Sequence, residues 1–168
     1  MVVLLKGKSI IFIFAFLFLV TLMSFPSFGE EGQYIGSAKC KGCHSLPKTG
    51  AQYKSWVETK HAKSMESLKE KGEDKNEKCL PCHTTGWGKP KAEGAKLDEV
   101  GCEACHGPAS EWKKIHPKDK EGAAAKGMIS KPCEESCRRC HNEKSPTFKG
   151  FDFKEYSKKG VHEHKEKK

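Results

Sequence analysis

Eight of the nine cysteines in this chain occur in one five-residue pattern, Cys-x-x-Cys-His. The four copies are Cys40-Lys-Gly-Cys43-His44, Cys79-Leu-Pro-Cys82-His83, Cys102-Glu-Ala-Cys105-His106 and Cys137-Arg-Arg-Cys140-His141. Two thiols separated by two residues can add to the two vinyl groups of one haem, and the next residue can then supply an imidazole to the iron. The pattern therefore predicts four covalently attached c-type haems.

Paired cysteines can also bind structural zinc or form disulfides. Two Cys-x-x-Cys pairs can make an all-thiolate zinc site, but such a site requires no histidine after each pair. A disulfide within Cys-x-x-Cys closes a strained small ring and is more often redox-active than structural. Neither alternative explains the four histidines, so haem is the favoured interpretation. Cys133, the ninth cysteine, belongs to no motif and is expected to be a free thiol; an intermolecular disulfide and an unusual iron ligand are the alternatives.

The N-terminus has the features of an export signal. Lys6 and Lys8 precede an apolar run from Ile10 to about Phe25, and small residues around position 29 suit signal peptidase. The run is about 16 residues long, whereas a membrane span needs about 20. We predict a signal peptide at 1–29, a single tetrahaem domain at 30–168, a periplasmic location and no stable membrane span after cleavage. An uncleaved anchor is the alternative.

The residues after position 29 are poor in apolar side chains and rich in lysine. Their own hydrophobic core would be thin, and four large apolar haems would supply much of the missing interior. No stretch has the alternating pattern of a long strand. We therefore expect a mostly α fold with extensive loops, in which short helices wrap around four haems and β-structure is negligible.

The formal net charge of +9 would ordinarily suggest nucleic acid or an anionic membrane as a partner. Eight haem propionates would offset much of this charge, and many lysines alternate with glutamates along the chain. We expect no nucleic-acid partner. The expected partners are other redox proteins, an electron donor and an acceptor, with the chain itself a monomer or weak dimer. The alternative use of the lysines is a rim that docks an acidic redox partner.

Four histidines outside the motifs are candidates for the second axial position on each iron: His61, His116, His162 and His164. The form Thr49-x-x-Gln52 resembles a capping box, and apolar residues then follow at helical spacing as far as Gly72. This pattern predicts one amphipathic helix with His61 on its apolar face. We interpret His61 as an axial ligand, and a buried structural histidine is the alternative.

The other three histidines are less constrained by local pattern. A short helix from Pro108 to Pro117 would place Trp112 and His116 on one face, where His116 either ligates iron or faces water. In the tail, His162 is the better ligand candidate because it follows Val161, and a frayed tail is the alternative. Nearby aromatic residues could cover one haem; they are Phe148, Phe151, Phe153 and Tyr156.

The chain resembles the tetrahaem cytochrome c family whose best-known member accepts electrons from hydroxylamine oxidoreductase in ammonia-oxidising bacteria. The shared marks are Tyr34-Ile35-Gly36-Ser37, Trp56, His61-Ala62, Thr84-Thr85-Gly86, Gly101-Cys102-Glu103, Gly107-Pro108, Ser145-Pro146, Phe151, Phe153 and Tyr156. The resemblance implies closely packed haem pairs that pass electrons singly. It also implies that one haem can be five-coordinate, as in some members.

By position, His61 and His162 match the distal ligands of that family. A histidine often follows Gly-Pro-x-Ser-x in such sequences, and Trp112 occupies that place here. Either His116, one turn later, replaces the missing ligand, or the haem is open and Trp112 shapes its distal pocket.

Two functions are consistent with these features. The first is an electron carrier that transforms no substrate and in which the protein sets the haem potentials. The second is a small haem enzyme that reduces or binds a nitrogen oxide or hydroxylamine at one five-coordinate iron. The sequence favours the carrier.

Overall fold

The computed structural model describes residues 31–159 and residue 162. The chain divides into two compact units, Met1–Glu31 and Gly32–Lys168, and all described residues except Glu31 belong to the second. The predicted signal peptide, residues 1–29, lies outside the described residues. None of the helices among residues 31–159 is long and apolar enough to cross a bilayer.

Short helices joined by turns make up the described part of the chain. The α-helices are α1 Lys41–His44, α2 Gln52–Val57, α3 Ser64–Lys69, α4 Leu80–His83, α5 Cys102–His106, α6 Lys120–Ala125, α7 Glu134–Arg138 and α8 Phe153–Lys159. Two 3₁₀-helices cover Ser37–Lys39 and Pro47–Thr49. An isolated parallel bridge joins Tyr34 to Lys91. The predicted fold class, mostly α with extensive loops and negligible β, is confirmed.

The single helix predicted around His61 is wrong, because the segment forms two helices, α2 and α3, joined by turns that contain His61. The expected capping box is also absent: the Thr49 hydroxyl donates to the Cys43 carbonyl, 2.6 Å away, so it does not cap α2. Instead, the Val100 N–H donates to the His61 carbonyl at 3.1 Å. This contact with a distant segment, together with the turns, replaces the continuous helix that local periodicity favoured.

Ala51 precedes α2 in the left-handed region, with φ 51° and ψ 32°. This conformation costs a residue with a Cβ about 1–2 kcal/mol, and glycine adopts it freely. We therefore expect Ala51→Gly to raise the free energy of unfolding by about 0.5–1 kcal/mol. Urea denaturation of the haem-loaded protein measures this change. Ala124→Gly, within α6, is the matched control and should lower stability by a similar amount; a loss in both variants would contradict the prediction.

Apart from buried Trp56, the apolar core of the described residues consists of two small clusters. One contains Met65, Leu68 and Leu80, with Cys79 packed against it. The other contains Ala109, Trp112 and Ala123, with Ile35, Ile115 and Met128 around it. Both clusters adjoin haem-attachment motifs in sequence or in space. So small a polypeptide core agrees with an interior to which cofactors contribute.

Glu103 is the most buried charged residue in the described part of the chain, at 1% exposure. Its carboxylate accepts backbone N–H bonds from Ile35 at 3.0 Å, Gly36 at 2.7 Å and Ala109 at 2.8 Å. Burial raises the pKa of Glu103, and these three hydrogen bonds oppose that rise. The side chain thus ties the segment before the first motif to the third motif.

Candidate haem-binding sites

Each motif forms one helical turn. In three of them the histidine N–H donates to the carbonyl of the first cysteine, at 3.1 Å for His44, 3.2 Å for His83 and 3.0 Å for His141. The third motif coincides with α5. Residues three and four positions apart share a helix face, so each turn presents two thiols and one imidazole on one side. This is the arrangement that covalent haem attachment requires.

Three motif histidines lie opposite a histidine from elsewhere in the chain. The ring centroids are 5.8 Å apart for His44 and His116, with 16° between the ring planes. They are 6.0 Å apart for His61 and His141, at 73°. They are 6.0 Å apart for His106 and His162, at 14°.

A separation near 6 Å suits two imidazoles on opposite sides of one metal ion. A ligating imidazole nitrogen lies about 2.0–2.1 Å from a metal and about 1.1 Å from its own ring centre, so two opposed rings have centres about 6.2 Å apart. The three pairs therefore fit the axial positions of three haem irons.

Hydrogen bonds at Nδ1 orient four of the histidine rings, three from motifs and one from outside them. Nδ1 lies 2.8 Å from the Ser64 carbonyl in His83, 2.6 Å from the Ile129 carbonyl in His106 and 2.8 Å from the Lys113 carbonyl in His116. A carbonyl can only accept, so Nδ1 carries the proton and Nε2 keeps its lone pair for a metal. The fourth ring, His44, has its Nδ1 3.2 Å from Gln52 Oε1.

His83 differs from the other motif histidines. Within residues 31–159 and residue 162, no imidazole lies opposite its ring, whereas Ser64 holds it through both the Nδ1 contact and a hydroxyl bond to the His83 carbonyl at 2.7 Å. His164, the remaining histidine of the chain, lies outside the described residues. The second motif is therefore the candidate for a haem with one protein ligand.

The motifs contact one another in a definite order. Cys40 of the first motif lies beside Cys102 of the third. Cys140 of the fourth motif lies beside Cys82 of the second, and burial together with this neighbour raises the pKa of Cys140 to about 12. The third and fourth motifs are joined by a hydrogen bond from Arg139 to the Ala104 carbonyl. The spatial order is first, third, fourth, second.

Aromatic residues near the C-terminus cover the fourth motif. Phe151 lies 4.8 Å from the His141 ring, at 21° between planes, and Tyr156 lies 5.9 Å from it. Burial lowers the pKa of His141, and the nearby His61 adds to this effect. A neutral imidazole is the form that ligates a metal. Two of the four aromatic residues expected to cover a haem thus lie against the ring of His141, and cover of the haem itself stays a prediction.

Trp112 lies beside the first histidine pair. Its ring is 5.5 Å from that of His116 and nearly perpendicular to it. Its buried Nε1 has no hydrogen-bond partner among the described residues. A buried donor without an acceptor often marks a place where a bound group supplies one. The segment around it forms turns in place of the predicted Pro108–Pro117 helix, and it nevertheless brings His116 opposite His44.

The cysteines support neither alternative to haem. All nine are unbridged. In the described part of the chain, no three His, Cys, Asp or Glu side chains cluster closely enough to hold a metal ion by themselves. Cys133 is exposed, and hydrogen bonds from the Ser136 N–H and hydroxyl lower its pKa.

Comparison with known proteins settles the family. The family model "Cytochrome c554 and c-prime" matches residues 39–107. Cytochrome c-554 of Nitrosomonas europaea is 32% identical over 164 residues, which cover 79% of this chain and 68% of the relative. The chain belongs to the cytochrome c554 family. The resemblance inferred from sequence is confirmed.

A solved structure supports the same conclusion for the fold of this cytochrome c554 family member. The reduced state of cytochrome c554 from Nitrosomonas europaea matches with a TM-score of 0.61 and 31% identity, over 80% of this chain and 86% of that one. The chain is therefore a multihaem c-type cytochrome, and its predicted cofactors, four c-type haems, are confirmed.

Sequence reasoning missed two charged residues inside the motifs of this cytochrome. Glu103 was noted only as a family mark, although it fastens the remote segment of Ile35 and Gly36 to the third motif. Arg139 had no assigned role, although it joins two motifs. Nothing in the local pattern could have revealed either contact, because the partners lie 35 to 68 residues away in the chain.

Gly107 follows the third motif and allows a close backbone approach. It has φ 84°, and a Cβ there would lie 2.6 Å from the Gly127 carbonyl oxygen. We expect Gly107→Ala to lower the free energy of unfolding by about 2–3 kcal/mol. The control is Gly94→Ala, at φ 69° with open space around the added Cβ, which should cost only the backbone strain of about 1 kcal/mol. Equal losses in urea denaturation would show that the Gly127 contact is unimportant.

Proposed function

We propose that the mature chain, residues 30–168, is a periplasmic electron carrier that passes single electrons between redox proteins. When bound, c-type haems supply the one-electron chemistry. The attachment residues are the motif cysteines: Cys40, Cys43, Cys79, Cys82, Cys102, Cys105, Cys137 and Cys140. The motif histidines are the proximal ligands: His44, His83, His106 and His141.

The observation that carries this proposal is the set of three histidine pairs about 6 Å apart. On this proposal His116 would share an iron with His44, His61 with His141, and His162 with His106; the ring separations support these pairings. Bis-histidine ligation leaves no open position for a substrate at those three irons. Such sites exchange electrons and do not bind small molecules, which favours a carrier.

The electron path follows the contacts between motifs, from first to third to fourth to second. Each step joins motifs whose cysteines or backbone are in direct contact. Single electrons can thus cross the domain without a mobile segment. Donor and acceptor proteins would then dock near the first and second motifs, at opposite ends of this path.

Electron paramagnetic resonance of the fully oxidised protein tests these assignments. The angle between two axial imidazole planes sets the splitting of the iron d orbitals. Two haems with nearly parallel planes, 16° and 14°, should give rhombic low-spin signals. The haem with planes at 73° should give a low-spin signal with a large g value. A high-spin signal should come from the His83 haem, and four identical low-spin signals would contradict the assignments.

A small haem enzyme is the second candidate, favoured by the absence of an opposing imidazole at His83 within the described residues. A nitrogen oxide or hydroxylamine could then bind at that iron while the other three haems deliver electrons. Stopped-flow oxidation of the reduced protein by nitric oxide separates the two functions. Turnover with product release would support the enzyme, whereas binding without turnover would leave the carrier as the function.

A further inference from the structure

Two charged side chains lie at the contacts between motifs, one at each side of the third motif. Glu103 lies where the first and third motifs meet, and Arg139 lies where the third and fourth meet. Neither ligates iron nor attaches haem in the function proposed above. Both are nevertheless placed where a charge would affect the haem potentials.

Glu103 brings a buried negative charge to the first and third motifs. Gly36, whose N–H it accepts, lies four residues before Cys40, and Glu103 itself adjoins Cys102. Its oxygens accept N–H bonds from Ile35, Gly36 and Ala109, and these bonds favour the ionised carboxylate against the rise in pKa that burial causes. At 1% exposure, the charge is little screened by salt. A buried negative charge stabilises ferric iron and lowers a haem potential.

Arg139 brings a positive charge to the contact between the third and fourth motifs. Its guanidinium donates to the Ala104 carbonyl of the third motif and, at 3.2 Å, to the Ser136 carbonyl beside the fourth. Arg139 itself lies between Cys137 and Cys140, the attachment residues of the fourth motif, so its charge should stabilise the reduced state of the fourth haem most strongly.

The neighbouring Arg138 provides a natural comparison. Its Nε lies 2.6 Å from Glu134 Oε1, so its charge is balanced by a carboxylate within its own helix turn. Its guanidinium also lies over the Phe151 ring, 5.5 Å from the centroid. The two contacts of Arg139, by contrast, are with backbone carbonyls, which leave its net charge in place. Arg138 and Arg139 are adjacent and both exposed, but only the positive charge of Arg139 is left unbalanced by a neighbouring carboxylate.

We propose that Glu103 and Arg139 create a step in reduction potential along the electron path, low at the first and third haems and high at the fourth. Electrons move towards higher potential, so the step directs them from the first and third motifs to the fourth and second. The inference rests on the proposed carrier function, because it presumes four haems in the order given above. The step in potential would set the direction of electron flow, which the order of the motifs does not determine.

A redox titration of the haem-loaded protein, followed by electron paramagnetic resonance, tests the step haem by haem. The fourth haem is distinguished by its crossed imidazole planes, and the first and third by their nearly parallel planes. Glu103→Gln should raise the midpoints of the first and third haems and leave the fourth unchanged. Arg139→Gln should lower the midpoint potential of the fourth haem by about 59 mV, which for one electron corresponds to a tenfold change in the oxidised-to-reduced ratio.

Matched variants separate charge from structure. Arg139→Lys keeps the positive charge but cannot make both guanidinium hydrogen bonds. The midpoint potential of the fourth haem should therefore stay close to its wild-type value. Arg138→Gln removes an arginine whose charge is already balanced and should shift that midpoint far less. Raising the salt concentration should shrink the effect of exposed Arg139 and spare that of buried Glu103. If Glu103→Gln fails to fold, the exposed Arg139 variants still decide the question for the fourth haem.

The outcomes distinguish this inference from the proposed function. Four haems that titrate reversibly in the wild-type protein, with no midpoint change in Arg139→Gln, would overturn the potential step and leave the carrier function standing. Equal shifts in Arg138→Gln and Arg139→Gln, or a loss in Arg139→Lys as large as in Arg139→Gln, would also overturn it. Fewer than four haems, or haems that cannot be reduced reversibly, would overturn the proposed function itself.

Discussion

His116→Ala is expected to raise the amount of carbon monoxide bound by the fully reduced protein from one to two molecules per chain. In the proposed ligation, His116 occupies the sixth position on the iron held by His44, 5.8 Å away between ring centroids. Removing the imidazole leaves that position open to a small ligand. Titration of the reduced protein with carbon monoxide, followed in the Soret band, measures the change.

Trp112→Phe is the control for this experiment. It alters the ring beside His116 and leaves the ligand itself in place, so the carbon monoxide stoichiometry should stay at one. His61→Ala and His162→Ala should each behave as His116→Ala does. An unchanged stoichiometry in His116→Ala would show that His116 is not a ligand and that its approach to His44 has another cause.

Glu103→Ala should lower the free energy of unfolding by about 3–5 kcal/mol. The substitution leaves the buried N–H groups of Ile35, Gly36 and Ala109 without their acceptor, and each such loss costs about 1–3 kcal/mol. It also releases the segment before the first motif from the third. Urea denaturation of the haem-loaded protein, followed by circular dichroism, provides the measurement.

Glu121→Ala is the matched control, because Glu121 is exposed in the first turn of α6. Its effect should remain within about 0.5 kcal/mol. Glu103→Gln should fall between the two, since an amide retains one acceptor oxygen. A change below about 1 kcal/mol in Glu103→Ala would mean that the three N–H groups find other partners, and it would weaken the role given to this carboxylate.

The haem-attachment residues could be predicted from sequence because covalent haem chemistry fixes them locally. The spacing Cys-x-x-Cys-His is read within five residues, and each copy folds as the one-turn helix that the chemistry needs. The second axial ligands could not be predicted in this way, because they come from remote parts of the chain. His116 lies 72 positions beyond His44, and no local pattern links two residues so far apart.

The histidine at position 61 shows how local periodicity can mislead about structure and still indicate a functional residue. Its three- and four-residue spacing predicted one helix, whereas the structure has two helices with His61 in the turns between them. The Val100 N–H and the His141 ring provide tertiary contacts that the pattern could not include. His61 remains the candidate ligand because it lies 6.0 Å from His141, not because of a helix face.

The roles of Trp112 and Glu103 could not be predicted from sequence, because they depend on residues that only the fold brings close. The tryptophan in a place often held by histidine left two outcomes open, and only the fold shows His116 opposite His44. Glu103 is one of 22 acidic residues, and nothing in its neighbours marks it as the buried one. Its role depends on Ile35 and Gly36, which the chain brings back from more than 60 residues away.

Carbon monoxide binding to the fully reduced wild-type protein tests the central claim most directly. Three bis-histidine irons and one iron held by His83 alone predict one molecule of carbon monoxide per four haems. That iron should also be the high-spin species of the oxidised protein. No binding would contradict the account, because a further ligand would then complete the His83 site, and two or more molecules would contradict it by showing that one of the three histidine pairs does not enclose an iron.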